Sequence, residues 1–307
     1  MRTDREEVIV RACQSLAQRL GLGEGVAPVV IDRHSNLALR LDPTPWVARV
    51  ATGTAGPRSD AGWARREVAI ARALAEAGAA VAAPAPGALA GPHVEGGWRI
   101  TLWQRLDLAD GPPDPAAAGR ALARCHARLK TLTDVLAESP ISPWAPLHEA
   151  ERLLAHPQVR ERAGADLGWV ADRLAGLSGP VLNHPAPRQW LHGDAHLNNC
   201  RRLHSGEPVW LDWEDACLAP LEWELAGLVG AARVLGPLAD AERAWADAAL
   251  AGWRVAHAPG PPIDEALLER CIELRALFIV AWSWWLGSRS AQQADRLAAR
   301  LAWLRAR

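Results

Sequence analysis

The chain has no tyrosine, one phenylalanine, one methionine and a single lysine, Lys130, among its 307 residues. Almost all of its positive charge is therefore arginine, and its formal net charge is only −1. Surfaces that bind nucleic acids or membranes usually carry a clear excess of basic residues. The near-neutral balance therefore predicts no nucleic-acid partner and no membrane partner.

Cysteine is also scarce, with five residues at spacings that match no metal or disulfide pattern. An odd, unpatterned set is typical of a reducing compartment, so we expect a cytoplasmic protein. The charged N-terminal residues 1–7 lack the apolar core of a signal peptide. The apolar run at residues 276–287 is too short to span a bilayer. We expect a monomer or weak dimer.

Half of the residues are hydrophobic, enough for one large domain or two lobes with their own cores. Alternating or β-branched segments predict strands, and they lie at residues 29–33, 36–41, 46–51 and 98–103. One helix is predicted between the last two strands, at residues 63–78, and the rest of the chain is rich in helical patterns, among them one at 160–177. This order predicts an α+β chain with a small lobe at residues 1–104 and a larger helical lobe at 105–307.

The chemistry is concentrated in two short segments, residues 190–199 and 209–215. They supply Asp194 in a tight loop, Asn199 five positions later, and Asp212 at the end of an apolar, strand-like run. Phosphoryl transfer from Mg-ATP needs this set. Asp194 is predicted to orient and deprotonate a hydroxyl group. Asn199 and Asp212 are predicted to hold Mg²⁺, which prefers hard oxygen ligands.

The same residues carry a resemblance to the aminoglycoside phosphotransferase-like kinases, which are relatives of the protein kinases. That family's catalytic loop has the pattern H-G-D-x-x-x-x-N, matched here by His192, Gly193, Asp194 and Asn199. Its metal loop is matched by residues 210–215. The run that follows resembles the family's Gly-Pro-x-Glu-Trp-Asp-Leu-Ala segment, with Ala219 in place of the usual Gly and Glu224 in place of the usual Asp.

The resemblance implies a two-lobed protein-kinase-like fold, in which the small lobe has an antiparallel sheet with one helix. It also implies ATP or GTP and Mg²⁺ as cofactors, a small-molecule hydroxyl substrate, and structural roles for His192 and Gly193 in the catalytic loop. The family places a lysine on the third strand to contact the phosphates. Here the matching cation is Arg49, with Glu67 on the inserted helix as its partner, because Lys130 lies on a later helix.

The remaining nucleotide contacts are less marked in sequence. The turn between the first two strands, residues 32–36, has no G-x-G-x-x-G motif. Its main-chain N–H groups near Ser35 and Asn36, together with the Ser35 hydroxyl, are predicted to cap a phosphate. Main-chain groups near Gln104 and Arg105, just after the strand that ends the small lobe, are predicted to meet the adenine.

For the acceptor, three acids downstream of the metal loop are candidates, Glu214, Asp215 and Glu222. Acids at positions 264, 265, 269 and 273 are predicted to lie on a solvated helix face with arginine partners such as Arg270 and Arg275. The predicted activity is ATP-dependent O-phosphorylation of a small molecule, with an aminoglycoside-like antibiotic as one acceptor class.

Several alternatives stay open at this level. The chain is also consistent with a sugar or amino-alcohol kinase, or with a non-catalytic nucleotide-binding protein of kinase-like fold. A metallohydrolase would use a zinc site, whose ligand types are present in His192, Asp194, His196 and Cys200. The low net charge disfavours a strongly cationic acceptor.

Overall fold

The computed structural model of the chain describes residues 2–33, 35–131, 144–260, 262–288 and 290–307. The helices in these ranges are α1 Arg2–Arg19, α2 Gly62–Glu76, α3 Pro115–Leu129, α4 Ala145–Ala155, α5 Pro157–Ala163, α6 Leu167–Leu182, α7 Leu221–Leu235, α8 Asp240–His257, α9 Glu265–Leu286 and α10 Ala291–Arg305. The strands are β1 Ala27–Arg33, β2 Leu37–Asp42, β3 Trp46–Val50, β4 His93–Glu95, β5 Trp98–Gln104, β6 Arg188–Leu191, β7 Cys200–Arg202, β8 Pro208–Trp210 and β9 Cys217–Pro220. The described residues divide into two compact units, one reaching Asp107 and the other beginning at Leu108.

The first unit is built on a five-stranded antiparallel sheet with the order β1-β2-β3-β5-β4. The sequence of β2 alternates apolar and polar residues, and its leucines at 37, 39 and 41 are buried while the residues between them are half-buried. This period-two pattern is what fixes the register of a half-buried strand. Helix α2 follows β3 in the chain, as predicted, and its buried residues include Glu67.

The second unit is mostly helical, and two of its helices are buried on nearly every side. Helix α7 buries all but two of its residues, and the long helix α9 buries a continuous stretch from Cys271 to Phe278. A helix that is apolar around most of its circumference belongs in a core, and the sequence of both helices has this composition. Together with the sheet of the first unit, this arrangement confirms the predicted α+β class. Within the described ranges, no helix is both long and apolar enough to cross a membrane.

Some local predictions were wrong. The helix expected at residues 160–177 is two helices, α5 and α6, because the chain turns at Gly164, whose φ is +55°. Glycine enters this left-handed region without the steric cost that a side chain would add. The short strands β4, β6, β7 and β9 were not predicted at all. Strands of three or four residues carry too few alternations to stand out from loop sequence.

Two glycines let helices α3 and α8 pack closely in the second unit. A Cβ at Gly119 would lie 1.9 Å from the carbonyl oxygen of Ala249, and a Cβ at Gly252 would lie 2.2 Å from that of Ala116. No larger residue fits at either contact without separating the helices. The close approach also places Trp253 of α8 against His126 of α3, a contact on which the catalytic loop depends, as described below.

Candidate active site

The two predicted metal ligands lie at the same end of a β-hairpin. Strand β7 pairs with β8 so that Cys200 faces Trp210, and the Leu211 N–H donates to the carbonyl oxygen of Asn199 at 2.9 Å. Asn199 therefore lies opposite Leu211, one residue before Asp212. The hairpin register thus brings Asn199 and Asp212, which are 13 residues apart in sequence, to the same end of the hairpin.

Asp212 has a backbone conformation that sets it apart. Its φ of 61° and ψ of 66° place it in the left-handed region, and no other non-glycine residue in the described ranges has a positive φ. This region costs an L-amino acid about 1–2 kcal/mol, although Asp and Asn enter it more readily than other residues. Residues held in such conformations concentrate at functional sites. The turn begins the short 3₁₀ segment Trp213–Asp215 directly after Asp212.

The carboxylate of Asp194 is held through both of its oxygens. Oδ2 accepts a hydrogen bond from Asn199 Nδ2 at 3.0 Å and lies 3.3 Å from His196 Nε2. Oδ1 pairs with the guanidinium of Arg275. The His196 Nδ1 accepts the Asn198 N–H, so Nε2 carries the proton that points toward Asp194. The carboxylate therefore has a fixed orientation, and it keeps 29% of its side-chain surface exposed.

These contacts also decide the charge of Asp194. Burial by itself would raise the pKa of this carboxyl, but His196 first and Arg275 next lower it by more, so the net pKa is below the ordinary value. Asp194 is thus an ionised hydrogen-bond acceptor at neutral pH. That state suits a group that must orient a substrate hydroxyl and receive its proton.

His192 connects the catalytic loop to the hairpin. Its Nε2 lies 2.8 Å from the carbonyl oxygen of Leu211, next to Asp212, and its Nδ1 accepts the Asp194 N–H at 3.2 Å. One nitrogen therefore donates and the other accepts, which is the pattern of a neutral imidazole. Burial lowers the pKa of His192 and favours this neutral form. The ring fixes the spacing between the two chemical segments.

The main chain at Gly193 approaches the segment after Asp212 too closely for a side chain. Gly193 has a φ of +84°, and a Cβ there would lie 1.9 Å from the carbonyl oxygen of Asp215. Glu224, at the start of α7, is fully buried and accepts the N–H groups of His192 and Gly193 at 3.0 and 2.8 Å. The structure thus shows why the loop contains glycine and how a carboxylate of the following helix holds it.

Glu224 is itself held by a second buried pair. His126 Nε2 lies 2.8 Å from Glu224 Oε1, and the Trp253 indole N–H donates to His126 Nδ1 at 3.2 Å. Since Nδ1 accepts from the indole, Nε2 carries the proton and donates it to the carboxylate. Burial alone would raise the pKa of Glu224, but the hydrogen bonds from His126 and from the loop lower it below the ordinary value.

The contacts of the loop do not assemble a zinc site. Both ring nitrogens of His192 are used by main-chain partners, and burial raises the pKa of the Cys200 thiol to about 12. A cysteine binds zinc as the thiolate, and a histidine binds it through a free ring nitrogen. Among the described residues, no group of three or more His, Cys, Asp or Glu side chains is placed to hold a metal ion.

In the first unit, Arg49 of β3 lies beside Glu67 of α2. The Arg49 Nη1 donates to Glu67 Oε2 at 2.8 Å, and 20% of the arginine side chain and 3% of the glutamate side chain are exposed. The register of the sheet places Arg49 between Ala38 of β2 and Thr101 of β5. Arg49 is therefore a directed, half-buried cation, and its contact with a nucleotide stays a prediction.

The turn that contains Ser35 and Asn36 is tied to the loop after β3. The Ser35 carbonyl oxygen accepts the Gly53 N–H at 2.7 Å, and Asn36 Oδ1 accepts the N–H of Thr52 and the hydroxyl of Thr54 at 3.1 and 2.9 Å. Asn36 is buried, and its Nδ2 has no acceptor within the described parts of the chain. The turn is therefore held in place by the loop after β3, and its contact with a phosphate stays a prediction.

Among the main-chain groups predicted to meet adenine, the N–H groups of Gln104 and Arg105 are already bonded. The Gln104 N–H donates to the carbonyl oxygen of Ala83 at 2.9 Å, and the Arg105 N–H donates to that of Pro45 at 2.8 Å. Recognition of a base by the main chain of these two residues would therefore have to use their carbonyl oxygens. The Arg105 side chain lies 3.4 Å from Asp42 on the surface of the first unit.

The acids proposed for the acceptor site are buried rather than free to line a surface. Glu214, Asp215 and Glu222 are 7, 8 and 5% exposed, and Glu222 Oε1 accepts the Asp264 N–H at 3.0 Å. The expected solvated face at residues 264–273 is also wrong in part, since Glu273 and Arg275 are buried in α9. The prediction of a solvated face was wrong because the buried side of α9 is wide enough to include charged residues, which pair with groups of other segments.

Two neighbours of Asp194 were not predicted as residues of the phosphotransfer site, although His196 was named as a possible zinc ligand. His196 lies within the motif itself, so its position two residues after Asp194 was a usable signal. Arg275 is 81 residues away in sequence, and nothing in the local pattern of α9 distinguishes it from the other arginines on helices. Only the packing of α9 against the catalytic loop brings it into the site.

Solved structures of low sequence identity share the fold. An amicoumacin kinase, hAmiN, in complex with AMP-PNP, Ca²⁺ and Ami, superposes with a TM-score of 0.69 at 16% identity, covering 94% of this chain and 92% of that chain. The choline kinase LicA from Streptococcus pneumoniae gives 0.66 at 12% identity, covering 96% and 99%. The aminoglycoside phosphotransferase APH(3'')-Id from Streptomyces rimosus gives 0.59 at 17%, covering 87% and 98%.

A search of curated proteins finds no match to the sequence. The model of the phosphotransferase enzyme family matches residues 29–261, about three quarters of the chain, including both segments that carry the chemistry. This match and the kinase-like fold establish a phosphotransferase that acts on small-molecule hydroxyl groups. The chain belongs to the phosphotransferase enzyme family.

Proposed function

We propose that this phosphotransferase moves the γ-phosphate of Mg-ATP to a hydroxyl group of a small molecule, with Asp194 as the base. One observation carries the proposal. Asn199 donates to the fixed carboxylate of Asp194 and shares one end of the β7–β8 hairpin with Asp212, whose backbone is in the left-handed region. The same few residues thus join a hydroxyl-orienting group to two oxygen ligands, as phosphoryl transfer requires.

The reaction would proceed by an in-line displacement. The acceptor hydroxyl oxygen forms a bond to the γ-phosphorus as the bond from that phosphorus to the β–γ bridging oxygen breaks, and ADP leaves. The hydroxyl proton moves to the carboxylate of Asp194. Because its oxygens are held by Arg275 on one side and by Asn199 and His196 on the other, the carboxylate meets the hydroxyl in one orientation. Positioning of this kind supplies most of the rate in phosphoryl transfer.

The residues present fit a divalent metal ion. The Asn199 Nδ2 hydrogens are used by the main-chain oxygen and the carboxylate of Asp194, so the Asn199 Oδ1 is the atom left to face a cation. Asp212 adds a partly exposed carboxylate. One carboxylate and one amide oxygen, completed by phosphate oxygens, are the donor set that Mg²⁺ accepts. Bound Mg²⁺ would neutralise the charge that develops on the phosphates.

For the acceptor, we propose an alcohol with little positive charge rather than a polycation. The acids nearest the catalytic loop are buried, and Glu222 and Glu224 already accept main-chain N–H groups. Arg275 also places a positive charge beside Asp194. A polycation would meet few unpaired carboxylates in this part of the chain, as described. This favours an amino alcohol such as choline, or a weakly charged antibiotic, over an aminoglycoside.

The test is an acceptor panel incubated with Mg-ATP and read by mass spectrometry for the gain of one phosphate. The panel should contain choline, ethanolamine, glucose, amicoumacin and kanamycin. We expect phosphorylation of at least one weakly charged alcohol, and a loss of about 10²- to 10⁴-fold in turnover for Asp194→Asn. Turnover by Asp194→Asn at the wild-type rate would remove Asp194 as the base, and no transfer to any acceptor would oppose the proposed activity.

A further inference from the structure

The buried guanidinium of Arg275 contacts the catalytic loop at two points. Arg275 lies in the middle of α9 and is 4% exposed. Its Nη1 donates to the carbonyl oxygen of Gly193 at 2.7 Å, and its Nη2 pairs with Asp194 Oδ1. The planar fork thus fixes the carboxylate relative to the main chain of the preceding residue, which a single contact cannot do.

Arg275 is held in turn by α7. Its guanidinium lies over the ring of Trp223, with the central carbon 5.3 Å from the ring centroid. On the same helix, a Cβ at Gly227 would lie 3.1 Å from that carbon and 3.2 Å from Arg275 Nε, and also 3.1 Å from the main-chain carbonyl oxygen of Ala195 in the catalytic loop. Glycine at this position therefore provides the space that the guanidinium occupies. An aromatic face and a glycine one turn later form a seat for the cation.

A role in stability alone does not account for this arrangement. A buried ion pair loses much of its Coulombic gain to the cost of removing both charges from water, and apolar replacements are often as stable. Here the buried cation pairs with Asp194, a carboxylate that stays partly exposed. A carboxylate that must accept a hydroxyl at a reacting phosphorus gains most from being fixed, because a misplacement of about 1 Å can cost about 10²-fold in rate.

We propose that Arg275 is a positioning residue for phosphoryl transfer, which holds the Asp194 carboxylate in its productive orientation from the seat formed by Trp223 and Gly227. The inference rests on the proposed function and extends it to α9 and α7. It makes kcat, rather than nucleotide binding, the quantity that depends on Arg275, since the guanidinium contacts the base and not the predicted metal ligands.

The first test compares Arg275→Met and Arg275→Lys with the wild type. Turnover is measured with the best acceptor of the panel and, in parallel, as ADP release with water as the acceptor. We expect Arg275→Met to lower kcat by about 10- to 100-fold with the KM for ATP within about twofold. Arg275→Lys keeps the charge but loses the planar fork, so its kcat should lie between that of the wild type and that of Arg275→Met. Arg173→Met is the matched control. Arg173 lies on α6, and its guanidinium bonds Glu273, which is on α9 as Arg275 is, at 2.5 Å. Removing that guanidinium should not change kcat.

The second test leaves Arg275 in place and crowds it. Gly227→Ala should lower kcat by about 3- to 10-fold in the wild type and by much less in Arg275→Met, because the part of the loss that acts through Arg275 is absent there. A loss that arises only from crowding the Ala195 carbonyl oxygen would instead be equal in both backgrounds and would oppose the proposal. Gly230→Ala, on the same helix, is its control, since the added Cβ would meet no atom nearer than 3.9 Å. Gly227→Ala also serves as the test if Arg275→Met does not fold.

The outcomes separate the two claims. An active wild type with unchanged kcat in both Arg275→Met and Gly227→Ala would overturn the role of Arg275 while leaving the proposed function intact. A KM for ATP that rises in Arg275→Met while kcat holds would also overturn it. A wild type that transfers phosphate to no acceptor, water included, would overturn both.

Discussion

At the scale of single residues, the site depends on side chains whose partners leave them one orientation. Asp194 is bonded at both oxygens, and Arg49 is directed by Glu67. The types and order of Asp194, Asn199 and Asp212 could be taken from the sequence because they lie in two short segments. The contact with Arg275 could not, because a helix 81 residues later supplies it.

The pair formed by Arg49 and Glu67 gives a prediction at this scale. Arg49→Ala and Glu67→Ala should each weaken ATP binding, and together they should be strongly non-additive, with a coupling energy of about 1–3 kcal/mol. The reason is that Glu67 acts by aiming the guanidinium, so its removal matters only while Arg49 is present. The measurement is a double-mutant cycle on nucleotide affinity by calorimetry. Arg49→Lys should keep part of the affinity.

Arg40 provides the control for this cycle. It lies on the neighbouring strand β2 and pairs with Asp42 at 2.6 Å, with a third of its side chain exposed. Arg40→Ala should leave ATP affinity unchanged. If the effects of Arg49→Ala and Glu67→Ala simply add, or if either is silent, Arg49 is a strand residue without a nucleotide contact.

At the scale of elements, three helices of the second unit hold the catalytic loop. Helix α7 contributes Glu224 to its N–H groups, α3 contributes His126 to that carboxylate, and α9 contributes Arg275 to its carbonyl oxygen. The longer Glu224, in place of the usual aspartate of the family pattern, reaches both the loop and His126. The loop is thus fixed by a network of buried polar groups that form hydrogen bonds with one another.

Glu224 predicts how stability depends on pH. Its pKa is lower in the folded chain than in the unfolded chain, where it is about 4.3. Its contribution is therefore complete above about pH 5 and is lost as the pH falls through the folded pKa. We expect Glu224→Gln to be less stable at pH 7, because Gln cannot match the hydrogen bonds to His126 and the loop, and to lose less stability than the wild type on acidification.

The measurement is the free energy of unfolding by urea at several pH values between 7 and 3. Curves for the wild type and Glu224→Gln that converge toward low pH would support the account. Curves that stay parallel over this interval would show that the charge of Glu224 does not contribute to folding.

The elements themselves were predictable to different degrees. Strands β2 and β3 and helix α2 follow from alternation and helical period, and they are confirmed within one or two residues. The break at Gly164 and the short strands β4, β6, β7 and β9 were missed. The register of the β7–β8 hairpin, which joins Asn199 to Asp212, was also out of reach, since three-residue strands take their pairing from the packing around them.

At the scale of the whole molecule, the residues with predicted chemical roles are divided between two compact units. The first holds Arg49 and Glu67, and the second holds the catalytic loop, the hairpin and the helices around them. The α+β class was predictable because it rests on patterns that recur along the chain, and the family was predictable because its motifs lie in a few short segments. The acceptor was not predictable, because the sequence does not distinguish acids that are buried and paired from acids that line a binding surface.

The central claim is that Asp194 acts on the hydroxyl while Asp212 holds the metal ion of the nucleotide. Calorimetric titration with Mg-AMP-PNP separates the two roles without an acceptor. Asp194→Asn should bind as tightly as the wild type, within about twofold, since the amide oxygen can still accept from Arg275. Asp212→Asn suits the same left-handed backbone but lacks the charge, so its affinity should fall by at least about tenfold.

Thermal unfolding of each variant, without nucleotide, checks that both are folded. The predicted result of the titration is therefore wild-type affinity in Asp194→Asn and a large loss in Asp212→Asn. Equal affinities in the wild type and Asp212→Asn would contradict the account, as would an equal loss in both variants.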